Sequence, residues 1–263
     1  MFSILDEEPV LSTLGSQSPN MESNDVIKFE NVSFSYGRET VLHNLNFSIM
    51  KGEKIAIVGE TGAGKSTIAK LILRFYLSTE GDVKFYNQSS KEVSQRWARK
   101  NIAYVPQESF LFRGSIRDNL IYSNPTKIKL EQELNEIGVL GWFDRYENGL
   151  DQEVGERGSN VSAGERQFIA LLRAVLAKRE IIVFDEATAN LDIESENSIL
   201  EATDTLLDYQ TSIVIAHRLE TILNAEKILV MRDGKLVGFD NHENLLSDNE
   251  IYKDLFSAWN LSS

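Results

Sequence analysis

"KIAIVGETGAGKSTIAKLILRFY", Lys54 to Tyr76, is the stretch from which the fold follows. It opens as a short apolar run of strand character, passes through a glycine-rich loop, and continues with apolar residues at helical spacing up to Tyr76. The loop, Gly59 to Thr67, fits the pattern G-x-x-x-x-G-K-[ST]. Glycines at 59, 62 and 64 permit tight turns and close approach. Backbone N–H groups along Gly59, Glu60, Thr61, Gly62, Ala63, Gly64, Lys65, Ser66 and Thr67 are thereby expected to face phosphate oxygens. Lys65 is placed to reach β- and γ-phosphates, and the Ser66 hydroxyl to ligate Mg²⁺.

A second apolar run, "IIVFDE", ends in Asp185 and Glu186. A buried parallel strand would deliver both carboxylates at its carboxyl end, the edge where open α/β sheets bind ligands. There Asp185 suits a Mg²⁺ role through a water, and Glu186 suits polarising an attacking water. His217 ends the next strand-like run, "SIVIAH", and so points to the same edge. His43 and His242 stand in polar, turn-like contexts and receive no role.

The rest of the chain supports a mostly parallel sheet covered by helices, because strand and helix patterns alternate. "VIKFENVSFSY" and "VLHNLNFSIM" read as strands joined by a turn at Gly37, an antiparallel start. From Ser109 the pattern turns to short helices, "SIRDNLIYS" and "LEQELNEIGV", read as a helical subdomain over about residues 109–165. A helix from Gly164 to Arg179 and another at Ser195–Leu207 flank the "IIVFDE" strand, and Asp233-Gly234 turns a final hairpin. Residues 9–25 are rich in Ser, Asn, Pro and Gly and read as linker.

Composition narrows the partners. The 263 residues carry a formal charge of −13, which argues against sequence-independent nucleic-acid binding. Absence of cysteine excludes disulfides and thiolate metal sites. No apolar run approaches the roughly 20 residues that span a bilayer, and the acidic start lacks the basic region of a secretory signal, so a cytosolic character is expected.

Together these residues resemble the nucleotide-binding domain of ATP-binding cassette transporters of the exporter type, over about Val26 to Leu255. The resemblance implies a P-loop NTPase fold, RecA-like, with an N-terminal antiparallel β subdomain and the inserted helical subdomain. It implies ATP and Mg²⁺ as ligands, adenine stacking on Tyr36, and Gln107 reaching both Mg²⁺ and the membrane domain. The acidic strand end is then Asp185-Glu186, the following loop is Ala189 to Asp192, and the switch histidine is His217. Glu153–Gly158, "EVGERG", resembles the segment that exporters set against membrane-domain loops. The family signature falls on Val161–Gln167, so that Ser162, Gly164 and Asp192 meet a nucleotide bound by a second, head-to-tail domain. Residues 1–25 would then be the linker from a transmembrane domain, residues 26–263 the nucleotide-binding domain, and the site the cytoplasmic face of a membrane.

One motif departs from the family. Where Leu-Ser-Gly-Gly-Gln is usual, the chain has Val161, Ser162, Ala163, Gly164 and Glu165. Ala163 adds a Cβ where close approach is expected, and Glu165 adds a negative charge near a phosphate. An altered signature beside a complete Lys65, Asp185, Glu186 and His217 set resembles one half of a heterodimeric exporter, so a heterodimer is expected over a homodimer. Three functions compete: an ATPase driving export, a soluble relative in DNA maintenance or translation, and a nucleotide-gated regulator with negligible turnover. The second lacks the long coiled-coil insertion or the second cassette it would need.

Overall fold

The computed structural model describes residues 15–122, 129–185, 210–216 and 219–260. The apolar runs singled out above become the core of a six-stranded sheet in the order β12-β11-β3-β10-β9-β6. Its members are β3 (Lys54–Gly59), β6 (Ile102–Val105), β9 (Ile181–Asp185), β10 (Thr211–Ile215), β11 (Lys227–Arg232) and β12 (Lys235–Asp240). All are parallel except the edge strand β12, which returns through a tight hairpin. Asp233 and Gly234 both take positive φ, 49° and 71°, as that twist-matched turn requires. Ile55 to Val58 and Ile181 to Phe184 are buried continuously, without alternation, because both sheet faces are covered.

A second, antiparallel sheet, β2-β1-β4-β5, packs beside the first. It comprises β1 (Asp25–Tyr36), β2 (Glu39–Met50), β4 (Glu80–Phe85) and β5 (Gln88–Ser89). In β1 both Phe29 and Val32 are buried although three residues apart, which strict alternation forbids. A register shift between them resolves the conflict: Asn31 adopts φ 51°, a conformation Asn tolerates, and its N–H donates to Asn46 Oδ1 at 2.9 Å. Phe29 then stacks on its cross-strand partner Phe47, ring centroids 4.3 Å apart.

Helix α1 (Lys65–Ile72) is shorter than the pattern to Tyr76 suggests. Arg74 takes φ 54° and buries its guanidinium, donating to the Val93 carbonyl, so tertiary burial ends the helix. Val93 also meets the N-terminal segment: Gln17 bridges it in parallel, with Gln17 N–H on Glu92 O at 3.2 Å and Ser94 N–H on Gln17 O at 2.9 Å. Helix α2 (Gln95–Asn101), capped by Ser94, leads into β6.

The segment read as a helical subdomain holds α3 (Ile116–Ile121), α4 (Leu130–Glu136), short 3-10 turns and α5 (Ala163–Leu176) around its own hydrophobic cluster. Two short strands, β7 (Gly114–Ser115) and β8 (Glu153–Val154), pair antiparallel and tie its ends together. Arg117 on α3 binds Asp151 at 2.7 Å and also Glu131 on α4, joining three parts of the subdomain. The C-terminal helices are α6 (Leu219–Leu223), α7 (His242–Asp248) and α8 (Glu250–Asn260). His242 Nδ1 and the buried Tyr252 hydroxyl, 2.8 Å apart, staple α7 to α8, a structural role for a histidine left without one above. Among the described residues no helix is long and apolar enough to cross a membrane.

Candidate nucleotide site

Strand β3 ends at Gly59 and α1 begins at Lys65, so the glycine loop joins a buried strand to a helix N-terminus as the motif requires. Gly59 (φ 149°), Gly62 (φ 86°) and Gly64 (φ 96°) all take conformations that side chains disfavour. Gly64 is the N-cap of α1, and no side chain caps that helix start. A Cβ at Gly62 would meet nothing within 4 Å, which leaves the outer side of the loop open. Ala63 is the loop's anchor, buried in the core, while Glu60, Thr61 and Ser66 are exposed and Thr67 is buried. Lys65, only 6% exposed, curls back over the loop and donates to the carbonyls of Gly59 at 2.8 Å and Glu60 at 3.0 Å.

Gly59 is the tightest point of the loop, because a Cβ there would lie 2.2 Å from the Met231 carbonyl oxygen on β11. That atom is backbone in a parallel ladder and cannot step aside cheaply. Gly59→Ala is therefore expected to cost about 2–3 kcal/mol of folding stability. Urea unfolding measures it, and a loss below about 0.5 kcal/mol would contradict this reading.

The second acidic element reaches the same edge. Ile57 on β3, Ile215 on β10 and Asp185 on β9 stand in one register row, so Asp185 sits two strands from the loop, about 10 Å across. On the far side β6 pairs with β9, and Gln107 follows β6 beyond the Val105–Phe184 pair. Tyr104, on β6, donates its hydroxyl to Asp185 Oδ2 at 3.3 Å. Burial first, and the Asp185 carboxylate second, push that hydroxyl up to about 12, so it stays protonated and donating at neutral pH. Tyr36, at the end of β1, packs edge-on against Phe34 and Tyr76, with the Lys70 ammonium of α1 5.6 Å from its ring centre.

Whether this edge suits Mg²⁺ depends on its donors. Among the described residues no cluster of three or more His, Cys, Asp or Glu stands together. The edge's oxygens, the Ser66 hydroxyl, the Gln107 amide and the Asp185 carboxylate, suit a hard ion that keeps waters and phosphate oxygens as further ligands. Glu186, Asp192 and His217 lie outside the described residues.

The signature stands at the start of α5 rather than at a strand end, with Val161 in the hydrophobic cluster that α5 shares with β6 and β9. Ser162 is the helix's N-cap and Ala163 its first residue, both exposed. Glu165 folds back rather than outward: its Oε2 accepts from Ser162 N–H at 2.8 Å, and its own N–H donates to Ser162 Oγ at 3.2 Å. Burial would raise the Glu165 carboxyl, but the bonds from Ser162, with help from Tyr146 and Arg145, outweigh it and hold the group below its ordinary value. An anion already sits on this helix start, and it belongs to the chain itself.

Three further features of the site go unnamed above: the Tyr104 contact, the Glu165 cap, and an aromatic group beyond Gln107. Phe110, Phe112 and Tyr122 are 45%, 37% and 60% exposed, and Phe112 stacks on Tyr122 at 4.3 Å. Arg173 of α5 holds them, donating to Phe110 O at 2.9 Å and lying 5.5 Å from the Phe112 ring. Only the cap had a legible signal, the Ser-x-x-Glu spacing of 162 to 165.

Known proteins are similar to this chain. The family model for the ABC transporter matches residues 42–189. The chain is 40% identical, over 98% of its length, to an uncharacterized ABC transporter ATP-binding protein, YknV, of Bacillus subtilis (strain 168), covering 43% of that protein. It is 39% identical, over 97% of its length, to ATP-binding cassette sub-family B member 6 of Homo sapiens, covering 31% of it. With an ATP-dependent lipid A-core flippase of Desulfotalea psychrophila the identity is 37% over 98% of the chain and 45% of the flippase. A solved structure of a bacterial Atm1-family ABC exporter with ATP bound matches 98% of this chain and 46% of that one, with TM-score 0.88 and 35% identity. The chain spans less than half the length of these relatives. It belongs to the ABC transporter family, as an ATP-binding domain of the exporter type.

Proposed function

We propose that this chain binds and hydrolyses MgATP at the β3–α1 loop and, by closing head to tail on a second such domain, drives export through a membrane domain. The observation that carries the reading is the division of labour within one chain. Lys65, Ser66, Gln107 and Asp185 stand at or beyond the carboxyl ends of β3, β6 and β9, while the exposed Ser162 begins α5. Each chain thus offers a phosphate loop and, elsewhere, a second anion-facing turn that fits a partner's nucleotide. In the reaction Glu186 would orient water for attack on the γ-phosphorus and take its proton, with ADP leaving. Bound Mg²⁺ would neutralise the phosphate oxygens. Lys65 and the loop N–H groups hold the triphosphate, and His217 meets the γ-phosphate from the next strand end.

The relatives include proteins named as exporters and flippases, which favours a membrane domain as the partner and the cytoplasmic face of a membrane as the place. The aromatic group Phe110, Phe112 and Tyr122 and the turn Glu153–Gly158 form the surface best suited to it. Gly158 approaches Leu111, so the two features adjoin, directly beyond Gln107. Phosphate production by the chain alone, then joined to its membrane domain, tests this proposal. Stimulation by the membrane domain supports it, and negligible turnover in both would favour the nucleotide-gated regulator.

The Glu165 cap favours a heterodimer, because a carboxylate on the signature weakens the grip on a partner's phosphate. Glu165→Gln keeps a capping side chain and removes the charge. It is expected to lower the ATP concentration for half-maximal association about five- to tenfold. A lowered carboxyl stays ionised as pH falls through the ordinary carboxylate range, so mild acid should not reproduce the effect. Unchanged association in the variant would return Glu165 to a purely local role.

A further inference from the structure

We propose that Tyr104 is a positioning residue for Asp185, setting the carboxylate that this edge offers to Mg²⁺. The inference rests on the reading of Asp185 given above and adds a residue to it. Strand geometry makes the contact specific. Tyr104 on β6 stands opposite Val183 on β9, and Asp185 lies two residues further along β9, hence on the same sheet face. Tyr104 packs with Val183 in the cluster beneath α1, whereas its neighbour Ala103 faces the other cluster. A long side chain leaning along the strand therefore reaches forward to the carboxylate at the edge, and a residue shorter than Tyr at 104 would not.

The ring is fixed independently of the hydroxyl. Phase and packing come from Phe75, whose ring meets Tyr104 edge-on with centroids 6.2 Å apart. With the ring held, the O–H to Oδ2 bond at 3.3 Å opposes rotation of the Asp185 carboxylate about its own axis. Partners of this kind around metal-side groups commonly contribute ten- to a hundredfold to metal affinity. In this role Tyr104 acts through Asp185 rather than on the nucleotide itself.

The test is a Mg²⁺ titration of fluorescent ATP-analogue binding, with a metal-free arm in chelator, on the wild-type chain, Tyr104→Phe and Asp185→Asn. Tyr104→Phe keeps the ring against Phe75 and removes only the hydroxyl. It is expected to raise the Mg²⁺ concentration for half-maximal effect about tenfold, with metal-free analogue affinity unchanged. A merely structural role would instead move both arms or neither. Should Asp185→Asn shift the Mg²⁺ curve while Tyr104→Phe superposes on wild type, the Tyr104 proposal is overturned and the reading of Asp185 stands. If Asp185→Asn itself leaves the curve in place, the reading beneath the proposal fails with it.

Discussion

Glu186→Gln should lower steady-state ATP turnover at least about a hundredfold, the range general-base side chains contribute, while MgATP still binds. The residue follows Asp185, where β9 ends at the edge at which open α/β sheets bind ligands, and the role tested is the one proposed above. Gln preserves size and hydrogen-bonding reach but cannot take a proton from water. Phosphate release measures the first effect and fluorescent-analogue binding the second. Turnover equal to wild type would remove Glu186 from the chemistry.

Lys65→Ala should act on binding rather than on the chemical step. The ammonium is buried inside the loop it serves, held by the carbonyls of Gly59 and Glu60, and so stands ready where a triphosphate would lie. Charge-assisted hydrogen bonds contribute about 1.5–3 kcal/mol each, and Lys65 can give more than one, so nucleotide affinity should fall about a hundredfold or more. The fold should survive, because Ala63 still anchors the loop and the glycine conformations do not depend on the side chain. Analogue titration alongside thermal unfolding separates the two effects. Normal affinity in a folded Lys65→Ala protein would contradict the phosphate role.

Much of this was legible because local rules and tertiary context agree. Gly59 to Thr67 declared a strand–loop–helix, the continuous apolar runs declared parallel strands, and Asp233-Gly234 declared its hairpin. What escaped the sequence depended on partners distant in the chain. Helix α1 stops at Ile72 because Arg74 is drawn into a buried bond with Val93, which no helical period reveals. The polar composition of residues 9–25 conceals the pairing of Gln17 with the Glu92–Ser94 strand-like segment. Helices α7 and α8 went unread because their faces make sense only against each other and against β12, α6 and the sheet. Tyr104 gave no signal, since its function depends on the register of β6 against β9. The altered signature was visible as letters, but that Glu165 turns inward onto Ser162 is a matter of geometry.

The cap also changes how the altered signature is understood. The extra charge was expected to sit near a phosphate; in the structure it caps its own helix start, accepting from Ser162 N–H. In the heterodimer proposed above, the composite site that uses this signature would be the weaker one, and the site built on this chain's own loop and a partner's signature would not involve Glu165.

The central claim is that MgATP held by the Lys65 loop is gripped by a second domain's serine turn. Light scattering on the Glu186→Gln protein, alone and mixed with a candidate partner cassette, measures this directly. On addition of MgATP the mass in solution is expected to rise from one domain to two and to fall back when the nucleotide is removed. A mass that stays at one domain in saturating MgATP, in both samples, would contradict the claim.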